Sequence, residues 1–176
     1  ITLNSYTEAL SGSTADVKAA LSGTFANPYT GTVEITDTGT TDITATHITD
    51  INSSTSGAIT VSSAIDINGS GSEVKAAFDA IDTNTGNATA HITGTDYTIA
   101  QLKAINNKTT GAIVLATPTA TLSGEVADIV AAFAGTVTTN TGAVTLSEAG
   151  TTDIQATDIA TINTAITGAI TVRRAI

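Results

Sequence analysis

The pentapeptide GAITV at residues 57–61 decides the fold, because the chain writes it more than once. It returns unchanged at residues 168–172, and near copies stand at residues 111–115 (GAIVL) and 142–146 (GAVTL). A glycine followed by a short run of apolar and β-branched residues predicts a brief strand after a turn. A strand that recurs in this way indicates stacked repeats rather than one irregular globular core.

Glycines that precede strand-like runs define the period of the repeat. They are Gly31, Gly57, Gly86, Gly111, Gly142 and Gly168. The intervals between them alternate between shorter and longer, which gives a period of about 55 residues made of two unequal units. We therefore predict a single repeat domain over residues 1–176, with repeats at about 1–58, 59–112 and 113–169. Residues 170–176 would begin the next repeat.

Short amphipathic helices are predicted before these glycines. Apolar residues follow the i, i+3, i+4, i+7 spacing of a helix face in two clear series: Val74, Ala77, Phe78 and Ile81, then Val126, Ile129, Val130 and Phe133. Phe78 and Phe133 are the expected aromatic anchors of these helices. Suitable N-cap residues are Ser72, Ser123, Thr98 and Thr157, and Thr98 with Gln101 fits a capping box.

A second strand is expected between each first strand and its helix, at residues 64–67 and 119–122 and at the Asp-Ile pairs 42–43 and 153–154. Each unit then reads strand, turn, strand, cap, helix, turn. Such a unit cannot bury its apolar face alone, whereas stacked units can pair their strands into parallel sheets. The predicted fold is an α/β solenoid of right-handed coils.

Charge and composition exclude several functional classes. The chain has 16 acidic and 6 basic residues, which disfavours nucleic acid as a partner because phosphate binding needs clustered positive charge. Cysteine is absent, so disulfides and thiolate metal sites are impossible. No apolar run approaches the length of about 20 residues that spans a bilayer, so membrane insertion is not expected.

The sequence offers no recognisable catalytic constellation. His47 and His91 are the only histidines, and neither has an acidic residue at a metal-ligand spacing. No Gly-x-Ser-x-Gly elbow is present to mount a nucleophile. We predict a protein that is not an enzyme and that has no cofactor, with calcium as the one ion to consider.

Acidic residues recur in one type of loop, which raises the question of calcium. The loop Asp37-Thr-Gly-Thr-Thr-Asp42 matches the segment from Glu148 to Asp153, and Asp96 lies in a shortened copy. Stacked loops would place Asp37, Asp42, Asp96, Glu148 and Asp153 along one edge, where carboxylate oxygens suit calcium. The simpler interpretation is that these acids accept backbone hydrogen bonds in the turns.

Threonine, the most frequent residue, leaves a further interpretation open. Regular rows of threonine on a flat sheet order water in some ice-binding solenoids. Threonine is also a good strand former whose methyl group packs well between neighbours. Here the threonines are scattered among turns and caps, so ice binding is the minor alternative.

Three segments resemble the internal repeats of very large bacterial surface proteins. They are VKAALSGT at 17–24, TIAQLKAINNKTTGAIVLA at 98–116 and ATDIATINTAITGAITV at 156–172. The resemblance is to giant cyanobacterial cell-surface proteins and to secreted proteins of the RTX adhesin type. It implies an extracellular, structural role as a spacer, surface-layer element or filament, with a calcium- or glycan-binding adhesin module as the alternative.

The resemblance is incomplete in one respect. The calcium-binding nonapeptide Gly-Gly-x-Gly-x-Asp of RTX proteins is absent, so the calcium sites of that family carry over to no residue here. The expected partners are neighbouring repeats of a longer chain or further copies of this chain, stacked end to end.

Overall fold

The computed structural model describes residues 2–148 and 153–174, and within these ranges short helices alternate with short strands. The helices are α1 Thr14–Leu21, α2 Ala45–Ser54, α3 Gly71–Ala80, α4 Ile99–Asn106, α5 Val126–Ala132 and α6 Ala156–Ala165. The strands are β1 Leu10–Gly12, β2 Val33–Ile35, β3 Asp42–Thr44, β4 Ile59–Val61, β5 Asp66–Gly69, β6 Thr83–Asn84, β7 Thr89–Ile92, β8 Ile113–Leu115, β9 Leu122–Gly124, β10 Val144–Glu148 and β11 Ile170–Arg174.

The strands form three sheets in which every pair is parallel. Their orders are β1-β2-β4-β6, β3-β5-β7-β8 and β9-β10-β11. Each helix contacts the next helix in chain order, from α1 to α6. The molecule is thus an α/β fold whose parallel strands alternate with helices, an arrangement compatible with a solenoid-like stack.

Strand register divides the structure into two kinds of unit. We call units with α1, α3 and α5 the A units, and units with α2, α4 and α6 the B units. Strands β2, β7 and β10 belong to B units. On one side each pairs with the strand that precedes an A helix, and on the other side with the first strand of the next A unit in the chain. The aligned triplets are Leu10–Val33–Ile59, Ile67–Ala90–Ile113 and Leu122–Val144–Ile170. Equivalent positions therefore recur about every 55 residues, as an A unit plus a B unit.

One continuous core runs from Val17 to Ile166 and consists mainly of isoleucine, valine, leucine and alanine. Small and β-branched side chains suit this arrangement because the layers between units are thin and strands favour branching at Cβ. Phe78 is buried, with 1% of its surface exposed. Phe133 is not its equivalent: it lies at the C-cap of α5 and is only partly buried, so it anchors its helix less firmly.

Helix starts agree with the sequence at one predicted cap and differ at the others. Thr98 caps α4 and forms the predicted capping box with Gln101. Ser70, not Ser72, caps α3, because Ser70 forms a reciprocal box with Glu73 and so starts the helix two residues earlier. The prediction of Ser123 and Thr157 as N-cap residues is wrong as well, since the N-cap of α5 is Glu125 and that of α6 is Gln155.

Second strands begin slightly later than predicted, at β5 and β9, and run up to the helix caps. The Asp-Ile pair at 42–43 lies in β3 as expected, whereas residues 153–154 form no strand. Within the described ranges, every helix is too short or too polar to cross a bilayer.

Candidate functional site

Three of the five predicted calcium ligands, Asp37, Asp96 and Glu148, make the same kind of contact from the ends of β2, β7 and β10 or from the loops after them. Each carboxylate accepts a hydrogen bond from the backbone N–H of the first residue of the preceding A helix. The pairs are Thr14 with Asp37, Gly71 with Asp96 and Val126 with Glu148. The first N–H groups of a helix have no partner inside it and carry its positive dipole end, so a carboxylate is well suited to this position. These acids therefore cap helices in the neighbouring unit.

The hydrogen bonds of these caps are shorter in the first and last copies than in the middle copy. Asp37 Oδ2 accepts from the backbone nitrogen of Thr14 at 2.7 Å and from its hydroxyl at 2.5 Å. Glu148 Oε1 accepts from the nitrogen of Val126 at 2.5 Å, and the corresponding distance from Gly71 to Asp96 is 3.5 Å. We call these three contacts the carboxylate caps.

Glu148 shows why the caps belong to the packing between units. The alternation of β10 turns Val144, Leu146 and Glu148 to the same buried side, and Glu148 is only 7% exposed. A buried carboxylate is costly unless it is hydrogen-bonded, and the N–H of Val126 meets this need. Glu125, the residue before α5, makes no side-chain capping bond of its own.

The other two candidates lie elsewhere. Asp42 is exposed on β3 and accepts from Asn68 Nδ2 at 3.4 Å. Asp153 lines a cavity of about 240 Å³ together with Glu125, Glu148 and Asp158. Residues 149–152, which complete the matching loop, lie outside the described residues.

The five candidates are thus distributed along the stack. The three caps belong to successive pairs of units, and Glu148 and Asp153 line the same cavity. Within residues 2–148 and 153–174, no three histidine or acidic side chains come together in a geometry that would hold a metal ion. Calcium binding stays a prediction.

A second set of polar contacts joins the units at residues two positions before a repeat glycine. The Thr55 hydroxyl donates to the carbonyl of Gly31 at 2.9 Å and accepts from the nitrogen of Gly57 at 2.9 Å. Thr109 repeats this pattern, donating to the carbonyl of Ala88 at 2.6 Å and accepting from Gly111. Each hydroxyl therefore bridges its own turn to the preceding unit. We call these contacts polar clasps.

Asn140 and Tyr29 supply the same clasp with other chemistry. Asn140, which is fully buried, donates from Nδ2 to the carbonyls of Ala120 and Gly142 at 3.0 and 3.1 Å and accepts from the Tyr97 hydroxyl at 2.7 Å. The Tyr29 hydroxyl donates to the carbonyl of Glu8 at 2.5 Å. Burial without a partner would be costly for each group, so these bonds favour one register of neighbouring units.

The repeat glycines allow the backbones of adjacent units to touch. A Cβ on Gly57 would lie 2.1 Å from the carbonyl oxygen of Gly31, and one on Gly168 would lie 2.1 Å from that of Gly142. Gly31, Gly86, Gly111 and Gly142 face backbone atoms of the preceding unit at 2.0–2.3 Å in the same way. Only a residue without Cβ fits so close an approach.

One small cluster of titratable groups departs from this pattern. Asp66 Oδ2 lies 3.7 Å from His91 Nδ1 on the neighbouring strand, and Asp42 is the residue paired with Asp66 on the other side. Asp66 Oδ1 is buried and finds no hydrogen-bond partner among the described residues. Burial raises the pKa of Asp66, the His91 imidazole opposes this rise, and the Asp42 carboxylate adds to it. The cluster consists of two acids and one imidazole on an outward sheet face.

Reasoning from sequence missed both the clasps and the Asp66–His91 pair. The clasps did leave a signal, because Thr-Ser-Gly at 55–57, Thr-Thr-Gly at 109–111 and Asn-Thr-Gly at 140–142 all place a polar residue two before the glycine. The acid–imidazole pair left none, since its members are far apart in sequence and only strand register brings them together.

The recurring polar groups donate and accept hydrogen bonds between neighbouring units. No protein-family model, curated protein or solved structure matches this sequence.

Proposed function

We propose that this chain is a non-enzymatic structural repeat segment of a large extracellular bacterial protein, serving as a spacer, surface-layer element or filament. Its units are wound as a right-handed α/β solenoid with a period of about 55 residues. The observation that carries the proposal is the use of the repeated polar residues. The carboxylate caps and polar clasps each join one unit to the next, at separations of 20 to 25 residues.

A contact network of this kind suits a mechanical rather than a chemical role. In a repeat array, each unit is stabilised by its neighbours, so the stack gains length without a larger core. A surplus of acidic residues keeps such an extended surface soluble. The extracellular location rests on the resemblance of three segments to bacterial surface repeats.

Small-angle X-ray scattering of the purified chain tests the proposed shape. A scattering profile that agrees with the profile calculated from the stacked units is the expected result. A profile that the stacked units do not reproduce would count against the solenoid. Cell-surface proteolysis of the source bacterium tests the location, because an intracellular chain would be protected.

The second candidate is a calcium-binding module, which one observation favours. Four carboxylates line the cavity beside α6, although no three of them converge to hold an ion among the described residues: Glu125, Glu148, Asp153 and Asp158. A ligand that binds only the folded state stabilises it by about 2.7 kcal/mol at a hundred times its dissociation constant. Thermal unfolding in calcium and in chelator should then differ for the natural chain. The double variant Asp153→Asn with Asp158→Asn should lose that difference, whereas equal melting in both buffers would reject this candidate.

A further inference from the structure

A small cluster of titratable side chains on the β3-β5-β7-β8 sheet takes no part in the carboxylate caps and polar clasps. It consists of Asp42 on β3, Asp66 on β5 and His91 on β7. These strands are neighbours in the sheet, and they come from three successive units of the stack. We call the three residues the acid–imidazole ladder. Because its members belong to different units, a change in their charges acts on the contacts between units.

Strand register places Asp66 between the other two members. Asp42 is its direct partner on β3, and two carboxylates side by side on neighbouring strands repel each other. His91 pairs with Asn68 on β5, so it lies diagonally across from Asp66. Its Nδ1 atom is 3.7 Å from Asp66 Oδ2, which is an ion-pair distance once the imidazole is protonated. Asp66 therefore has a like charge on one side and, in the protonated state of His91, a positive charge on the other.

The surroundings of Asp66 give its carboxylate little compensation. Its side chain is only 24% exposed, and Oδ1 is buried with no hydrogen-bond partner among the described residues. The side-chain nitrogen of Asn68 donates instead to the backbone carbonyl of Asp66 at 3.0 Å and to Asp42 Oδ1 at 3.4 Å. A partly buried carboxylate is costly without a donor or a nearby positive charge. One proton bound within the ladder supplies that compensation.

Asp42 and His91 are the charged groups that act on Asp66. The residue beside His91 on β8 is Val114, and the residue beside Asp66 on β7 is Thr89, neither of which titrates. Helices α2 and α3 also contact β5. Their charged side chains are bonded to other groups: Asp50 to Lys18, Glu73 to Ser70 and Lys75 to Asp79. The imidazole of α2, His47, provides a matched control.

We propose that the acid–imidazole ladder is a pH-sensitive contact that holds β5 to β7 in mildly acidic solution and weakens as the solution becomes neutral. An imidazole ordinarily changes its charge between about pH 5 and 8. When His91 is protonated, it attracts Asp66 and offsets the repulsion from Asp42. When His91 is neutral, the two carboxylates face each other without compensation. The inference goes beyond the proposed function, because it concerns the regulation of one junction between units.

Both members of the Asp66–His91 pair act in the same direction. Burial, opposed in part by the imidazole, raises the pKa of Asp66, so a proton on that carboxyl also favours the folded state. A proton on His91 gains an acidic neighbour only in the folded chain. The stability that the ladder contributes is therefore present at low pH and lost as pH rises.

Urea unfolding of the full chain at about pH 5.5 and about pH 8, in the presence of a chelator, tests this proposal. The natural chain is compared with His91→Gln, which keeps a polar side chain but cannot carry the charge. The folding equilibrium constant of the natural chain relative to that of His91→Gln should be about threefold larger at the lower pH than at the higher, as a partly exposed ion pair would give. In an Asp66→Asn background, replacing His91 should have no pH-dependent effect. The control His47→Gln should give the same ratio at both pH values.

Four results would overturn the proposal. An equal ratio for His91→Gln at both pH values means that the charge of His91 does not hold the contact. An equal change for His47→Gln indicates the general charge of the chain, and a pH effect that survives in Asp66→Asn indicates another partner for His91. Calcium or zinc added in place of the chelator gives the fourth: pH dependence seen only with the ion would make the ladder a metal site. Circular dichroism establishes that the variants fold.

Amide hydrogen exchange of the natural chain tests the proposal without any substitution. The backbone nitrogens of Thr89 and Thr93 donate to the carbonyls of Ile65 and Gly69, so they report on the junction between β5 and β7. After correction for the intrinsic effect of pH on exchange, their protection should be about threefold higher at the lower pH. Equal or lower protection at that pH would overturn the proposal.

Discussion

Replacing Asp37 by alanine should remove one carboxylate cap and separate the two interpretations of the acidic loops. Asp37 accepts hydrogen bonds from the backbone nitrogen and the hydroxyl of Thr14, and with Asp37 in place Thr14 is only 1% exposed. Loss of an N-cap costs about 0.5–2 kcal/mol, and an unsatisfied buried donor costs about 1–3 kcal/mol. The two costs overlap because they concern the same donors. We therefore expect Asp37→Ala to lower the free energy of unfolding by about 2 kcal/mol.

Urea unfolding followed by far-ultraviolet circular dichroism measures this loss, in parallel with and without calcium. In a chain of this size the melting temperature should fall by about 4–8 °C. Asp37→Asn keeps an acceptor oxygen while removing the charge, so it should cost about half as much. The control is Asp79→Ala, which removes an exposed acid that pairs with Lys75 at 2.5 Å and should cost about 0.5 kcal/mol or less.

Two results would refute this reasoning. If Asp37→Ala were as harmless as Asp79→Ala, the contact with Thr14 would contribute nothing to stability. If the asparagine and alanine variants lost the same amount, and only when calcium was present, the carboxylate would be a calcium ligand rather than a cap.

Three further predictions concern the backbone contacts, the titrating acid and the aromatic residues. Gly57→Ala should destabilise the fold by about 3 kcal/mol, because the added Cβ would meet the backbone of the preceding unit. Gly12→Ala is the control and should cost far less, because its Cβ would meet only side chains at 3.6 Å or more. Chemical denaturation measures both losses. The raised pKa of Asp66 means that its contribution to stability is present below the ordinary pKa near 3.8 and is lost as pH rises through the raised value. The stability of Asp66→Asn relative to the natural chain should accordingly increase as pH rises. Urea midpoints of the two proteins measure this, and a difference between them that does not change with pH would contradict the prediction. Phe78→Ala should cost about 3–5 kcal/mol and Phe133→Ala clearly less, since only the first is fully buried; equal losses in thermal melts would show that both act as core residues.

Much of the architecture is readable from the sequence because it is local. The recurring glycines and the period of helix-spaced apolar residues predict parallel strands alternating with helices, and the described structure has both. Thr98 with Gln101 was recognisable as a capping box because both partners belong to one helical turn. One error arose where a neighbouring unit helps to form the helix start: α5 begins after Glu125, whose side chain makes no cap, and the buried carboxylate of Glu148 caps it instead.

The sequence by itself predicted parallel strands that alternate with helices, since these follow from patterns within a single unit. Only the tertiary structure decided what the acidic loops contact. Asp37 and Thr14 are 23 residues apart in sequence, and the other caps and clasps join residues that are 20 to 25 apart. No local sequence pattern can pair residues at such separations. Strand register alone brings Asp66 beside His91 and sets Gly57 against Gly31. The physical reason is that stacking energy acts between units: a residue's partner lies one full unit away in sequence, and only the folded stack brings the two together.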